Sequence, residues 1–294
     1  MKAVALPELP APFPPAFRTM LDQILRKSAR IRGARREAVR ARHRALVQTG
    51  TFAGHRSYVQ GDDLRRLDWN AYARTGGLYV KLLEDDEQQS AAVVVDSSPS
   101  MWVGQTPRLC TALRLAAILG GLSLLHLDGV HLRVGSEEAL LAGRGQLPAL
   151  LEQLGRTVAA SESADETVDA LLARGAPGKL HWISDFAQPA AYERPLQRLR
   201  RTGRRVVGWL PELPEDLTIE PGGWTSVVDP ETGREMPVAI DAALCRALRA
   251  ELQSLRRQQQ QLFTSCGFPL QRLRLPSDSF QAGAWLEAGW SFRR

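Results

Sequence analysis

The stretch AAVVVDSSPSM, Ala91 to Met101, constrains the fold more than any other part of this 294-residue chain. Five small or β-branched residues run without a charge and stop at Asp96. A short, wholly apolar run of this kind predicts a strand covered on both faces, as in the middle of a parallel sheet. Asp96, Ser98 and Ser100 then fall in a D-x-S-x-S pattern where that strand gives out. Open α/β sheets bind ligands in the crevice at the carboxyl ends of their strands. One carboxylate and two hydroxyls on a tight loop make a hard-oxygen half-site, suited to a magnesium ion that keeps several waters. The same residue types are also ordinary turn and helix-capping groups, so spacing alone leaves both roles open.

The surrounding pattern alternates strand and helix. Thr106 to His126 predicts a long helix with Pro107 in its first turn. Val130–Val134 and Ala139–Leu141 read as strands, and Leu147–Leu154 as a helix. Lys179–Ser184 reads as a strand ending at Asp185, Ala190–Arg201 as a helix and Arg205–Leu210 as a strand. Trp224–Val228 and Glu235–Ile240 form a predicted hairpin around Asp229-Pro-Glu-Thr-Gly233, and Ala242–Phe263 is a helix whose glutamines, Gln258 to Gln261, read as a polar face. Leu270–Leu275 alternates as an edge strand. The expected fold class is α/β: a doubly wound, mostly parallel sheet with a basic helical N-terminal extension. Expected boundaries are a Pro-rich arm and basic helices over residues 1–50, a charge-dense segment over 51–90, the α/β domain over 91–275 and an aromatic tail over 276–294.

Composition excludes several function classes. Nine of the Lys and Arg residues lie between Arg26 and Arg44, with Glu37 the single acid among them, and the net charge is +6. A basic segment attracts nucleic acid or acidic headgroups, but with no aromatic residue between Arg26 and Arg44 it offers no base-stacking platform. Nucleic acid is therefore not an expected partner. No apolar run reads as the roughly 20 residues that span a bilayer, and prolines break the N-terminal apolar stretch. The expected location is the cytoplasm, without a transmembrane segment. Cys110, Cys245 and Cys266 have no metal-ligand spacing. Neither a phosphate-binding glycine loop nor a Gly-x-Ser-x-Gly elbow is present, and His55, His126, His131 and His181 are scattered. Nothing nominates a nucleophile and a base together, so catalysis is not expected.

A second informative stretch precedes the apolar run. It reads Tyr58-x-x-Gly61-Asp62-Asp63-x-Arg65-x-x-Asp68-Trp69, then Ala73-Arg74-Thr75-Gly76-x-Leu78-x-Val80-Lys81-x-x-Glu84. Its interleaved charges and aromatics suit paired ions over a hydrophobic patch. The alternative is a two-metal hydrolase site assembled from the acids of residues 62–86. With Asp96-x-Ser98-x-Ser100-Met101, these motifs resemble the bacterial "domain of unknown function 58" family, whose members are similar to von Willebrand factor A-type domains. The resemblance covers Gly50 to Met101 by motif and the remainder by order of elements.

The resemblance implies a metal-ion-dependent adhesion site built from three loops. The first loop matches at Asp96, Ser98 and Ser100, and the third at Asp185, with magnesium or manganese as the implied cofactor. The second departs from the family's pattern. Where a threonine is expected the chain has Asp165, with the oxygens of Ser163 and Thr167 nearby, so the second ligand stays unassigned, Ser163 and Asp165 being candidate ligands. Gly61, Asp62, Asp63, Arg65, Asp68, Trp69, Arg74, Gly76, Lys81 and Glu84 are expected to be structural. The implied function is metal-dependent protein binding beside a MoxR-type AAA+ ATPase. A degenerate, metal-free site is the alternative that the missing threonine raises.

Overall fold

The computed structural model describes residues 10–30, 55–57, 69–81, 90–103, 108–127, 129–160, 162–175, 178–212 and 221–274. The basic segment from residue 31 to 44, the tail 276–294, Pro107 and the family-signature residues Gly61, Asp62, Asp63, Arg65, Asp68 and Glu84 lie outside them. The chain divides into two compact units, Arg26–Gln88 and the remainder.

In chain order the elements are α1 (15–30), β1 (His55–Ser57), α2 (Trp69–Thr75), β2 (Tyr79–Lys81), β3 (Ser90–Val95), α3 (Arg108–His126), β4 (Gly129–Val134) and β5 (Glu137–Ala142). They continue with α4 (Leu147–Gly155), α5 (Ala164–Ala173), β6 (Lys179–Ile183), α6 (Pro189–Arg201) and β7 (Arg205–Glu212). The hairpin β8 (Gly223–Val228) and β9 (Glu235–Ile240), α7 (Ala242–Ser265) and β10 (Leu270–Arg274) complete the chain.

The smaller unit pairs β1 with β2 antiparallel, Ser57 opposite Tyr79 and His55 opposite Lys81. Trp69 and Tyr72 meet edge-on along α2, whose last turn holds Arg74. Gly76 stops the helix at φ +70°, a left-handed conformation that favours glycine, and donates its N–H to the Tyr72 carbonyl.

The larger unit is α/β. Its six-stranded sheet has the order β10-β7-β6-β3-β4-β5, parallel except for β5, which returns antiparallel on β4. The apolar run predicted to be a central strand is β3, buried from Ala91 to Val95. Its two-residue period sends Val93 and Val95 to the layer of α1, α3 and α4, and Ala92 and Val94 to the layer of α5, α6 and α7. The N-terminal extension contributes to this core directly, through Phe13, Phe17, Met20, Leu21 and Ile24.

Helix α3 corrects the expectation about apolar runs. Its 19 residues are long and apolar enough to cross a membrane by length and composition. Most of that surface is buried under the sheet, α1 and α4, because a helix covering the middle of a parallel sheet is apolar nearly all round.

After β3 the chain crosses to β4 on one side, and later enters β6 on the other. The connections therefore part at the carboxyl end of β3, and that point is a topological switch. Asp96 stands there.

Candidate functional site

The end of β3 sets the site. Asp96 continues the sheet register by donating its N–H to the Ile183 carbonyl at 2.9 Å. Its Oδ1 accepts the Ser98 N–H at 2.8 Å, and its Oδ2 accepts the Ser184 hydroxyl at 2.7 Å. Ser98 then opens a single 3-10 turn, Pro99–Trp102, anchored by the buried side chains of Met101 and Trp102. The Trp102 indole donates to the Ser97 carbonyl at 3.3 Å. Within the turn the Ser98 and Ser100 hydroxyls lie 3.1 Å apart.

Asp185 arrives from β6, the strand beside β3, where Val95 pairs with Ile183. Its Oδ1 accepts the Ala187 N–H at 3.0 Å, and its carboxylate also meets the Ser100 side chain. Burial, and then the charge of Asp96, hold the Asp185 carboxyl above the usual carboxylate range, with Arg108 pulling the other way. Two carboxylates and two hydroxyls thus converge at the switch point. Among the described residues no three His, Cys, Asp or Glu side chains gather into a metal-holding group. Oxygen atoms of this kind are the donors that a hard cation takes, so Asp96, Ser98, Ser100 and Asp185 are the residues that could hold one.

The backbone after Asp185 is strained. Phe186 has φ +47°, a left-handed conformation rarely adopted by a bulky residue. Its ring is fully buried against Tyr192 and Phe263, and Gln259 donates to the Asp185 carbonyl at 2.9 Å and to the Phe186 carbonyl at 3.1 Å. Gln259 belongs to the glutamine run read as a polar face, but it is buried. Its Oε1 accepts from Arg272, which also pairs with the buried Glu212.

The second loop engages its oxygens locally. Ser163 caps α5: its hydroxyl oxygen accepts the Glu166 N–H while the Glu166 carboxylate accepts the Ser163 N–H, a capping box. Asp165 pairs with Arg198 at 3.3 Å and is partly exposed. Neither lines the cavity beside Asp96. Instead Glu162 and Thr167 line, with Asp96 and Tyr192, a cavity of about 20 Å³, large enough for one water. Thr167 donates to Glu162 at 3.2 Å, and Glu162 pairs with the buried Arg133. Ser163 is engaged as the cap of α5, and Asp165, in the first turn, as an ion-pair partner. Ala160 ties this loop to the first by donating its N–H to the Ser97 carbonyl at 3.1 Å. Gly135 leaves room for the junction, since a Cβ there would meet Ser97 Oγ at 2.6 Å.

The structure thus brings Asp96, Ser98, Ser100 and Asp185 together. Trp69, Arg74, Gly76 and Lys81 fall in the smaller unit. Ser184, Tyr192, Gln259, Arg108 and Glu231 are site residues that sequence reading missed. Only Ser184, one step before Asp185, carried a local signal.

Comparison with known proteins places the chain. It is 28% identical over 239 residues to the uncharacterized proteins Rv1480 of Mycobacterium tuberculosis and Mb1516 of Mycobacterium bovis, covering 76% of this chain and 74% of each relative. Among solved structures it is similar to the conserved hypothetical protein BatB of Bacteroides thetaiotaomicron, at 14% identity and TM-score 0.38, over 67% of this chain and 95% of that one. An aerotolerance-related membrane protein from Bacteroides fragilis matches at 13% identity and TM-score 0.39, over 68% and 95% of the respective chains. The family model "Protein of unknown function DUF58" matches residues 54–262, more than half of the sequence, and the chain belongs to that family.

Proposed function

We propose that the chain is a von Willebrand factor A-type module that binds a protein partner through a divalent metal. One observation carries this reading: Asp96 and Asp185 meet at the ends of adjacent strands, with the Ser98 and Ser100 hydroxyls beside them. The raised Asp185 carboxyl reflects its burial first and then the nearby Asp96 charge, an arrangement that a cation relieves. Asp96, Ser98, Ser100 and Asp185 would hold magnesium or manganese. When bound, the ion supplies an open position for a partner's carboxylate oxygen. Ser184 and Tyr192 orient Asp96, and Gln259 holds the Asp185 turn. The family resemblance nominates a MoxR-type AAA+ ATPase as the partner.

The test is a magnesium and manganese titration of the purified protein followed by thermal unfolding, with Asp96→Ala in parallel. A ligand that binds only the folded state stabilises it by about 2.7 kcal/mol at a hundredfold excess over its Kd. Saturable stabilisation that Asp96→Ala abolishes supports the reading. No response from either protein favours the degenerate, metal-free site instead.

A further inference from the structure

The loop that carries Ser98 and Ser100 is touched by a distant part of the same chain. The hairpin β8–β9 ends in the turn Asp229-Pro-Glu-Thr-Gly233, and Glu231 Oε1 accepts the Ser100 N–H at 2.9 Å. The contact joins residues 131 positions apart. It places a carboxylate on the D-x-S-x-S loop itself.

The turn is built to present that carboxylate. Asp229 Oδ1 accepts the Glu231 N–H at 2.9 Å, and Asp229 Oδ2 accepts the Thr232 hydroxyl at 2.6 Å. Gly233, at φ +69°, donates its N–H to the Asp229 carbonyl and closes the turn. The strands behind it are unlike the rest of the larger unit: β8 is exposed along its whole length, and Trp224 is 79% exposed. A two-stranded ribbon is marginally stable by itself, so an anchor at its turn matters to where it rests.

A groove of about 460 Å³ continues from the site, between the turn and α7. Val103, Leu210, Val228, Pro230, Leu252 and Leu255 give it apolar walls, and Arg108 stands at the end nearest Asp185. Val228 and Pro230 come from the hairpin. The turn therefore brings a carboxylate, flanked by an apolar residue, to the edge of this groove.

We propose that the β8–β9 turn is an internal ligand of this site, and that the partner is an acidic segment with a flanking apolar residue that replaces Glu231. The inference rests on the binding reading above and adds the partner's chemistry and the step that precedes docking. An internal competitor acts at the effective concentration of a tethered group, of millimolar order, so it lowers the apparent affinity of any free segment. Release of the hairpin exposes the Ser100 amide and the apolar wall of Val103, Leu210, Leu252 and Leu255 together.

The experiment uses the full chain, its Glu231→Ala variant and a synthetic peptide of residues 223–240, which carries the same turn. In Glu231→Ala the peptide should bind about tenfold tighter than in the wild type, and a peptide with Glu231→Gln should lose most of that gain. Hydrogen exchange reports the contact without any metal: the Ser100 amide should exchange about tenfold faster in Glu231→Ala, as expected for one lost hydrogen bond. Equal peptide affinities and unchanged exchange in the two proteins overturn the internal ligand, even where magnesium stabilises both and the binding reading survives. Faster exchange with peptide competition that ignores magnesium keeps the internal ligand and removes the metal.

Discussion

Ser184 Oγ donates to Asp96 Oδ2 at 2.7 Å and joins the carboxyl ends of the two strands that carry the candidate ligands. The same hydroxyl lies 3.0 Å from the Tyr192 hydroxyl and accepts the Phe186 N–H at 3.1 Å. Asp96 thus has both oxygens engaged by its own protein, one by the Ser98 backbone and one by Ser184. Burial, and then the charge of Asp96, keep the Tyr192 phenol protonated far beyond its ordinary range, so it acts as a hydroxyl throughout. A ligand held in one orientation by its supporting shell needs no reordering when it binds.

Replacing Ser184 with Ala strips a hydrogen bond from a carboxylate in a partly buried place. The expected loss is roughly 1–3 kcal/mol of stability, with a smaller rise in melting temperature on adding magnesium. Chemical unfolding with and without magnesium measures both. Unaltered stability and an unaltered magnesium response would sink the positioning role.

Gln259 acts on the other ligand. Gln259→Leu keeps the volume but strands the carbonyls of Asp185 and Phe186 and removes an acceptor from Arg272. Stability should fall by roughly 1–3 kcal/mol, and amide exchange at residues 185–187 should quicken. Gln259→Ala should restore neither. If exchange there stays at the wild-type rate, the turn is held by Phe186 packing alone.

Gly208 lies on β7 under the Phe263 ring. A Cβ there would come within 2.3 Å of the ring, too close for any carbon contact. Gly208→Ala should cost about 1–3 kcal/mol through displaced packing of α7 on the sheet. Adding Phe263→Leu should recover part of this, and a double-mutant cycle by urea unfolding measures the coupling. Strictly additive effects would contradict the contact.

His181 sets a pH dependence. It is buried on β6, its Nδ1 accepts the Trp209 indole N–H at 3.4 Å, and burial, then the Lys179 charge, lower its pKa from 6.5 to about 3. The unfolded chain takes up a proton below about pH 6.5 that the folded chain refuses. The contribution of His181 to stability is therefore whole above that pH and is lost as pH falls toward 3. The slope from this group reaches at most about 1.4 kcal/mol per pH unit. Urea unfolding across that range should show a flatter profile for His181→Gln, which keeps an acceptor for Trp209. An identical profile would assign the acid sensitivity to other groups.

Much of the architecture was legible because it rests on local periodicity. The apolar run Ala91–Val95, bounded by Asp96, permits little except a central strand, and it is one. The hairpin and α7 begin and end within a residue or two of expectation, since Asp241 caps the helix and the Asp229–Gly233 turn closes the ribbon. In the second loop the sequence offered Asp165, Ser163 and Thr167 without assigning a ligand, and local structure separates them. Ser163 is the N-cap of α5 and Asp165, in its first turn, pairs with Arg198, while Glu162 and Thr167 line the cavity beside Asp96.

By itself the sequence determined which residues end strands, which faces are apolar and which loop bears the D-x-S-x-S oxygens, because a period of two and a charge at the end of an apolar run are properties of neighbours along the chain. Tertiary structure alone decided that Ser184 supports Asp96, that Gln259 holds the turn after Asp185 and that Glu231 rests on Ser100. Those partners lie 88, 74 and 131 residues apart. The topology of the sheet and the reach of one hairpin bring them together, and neither is written in any short stretch of side chains.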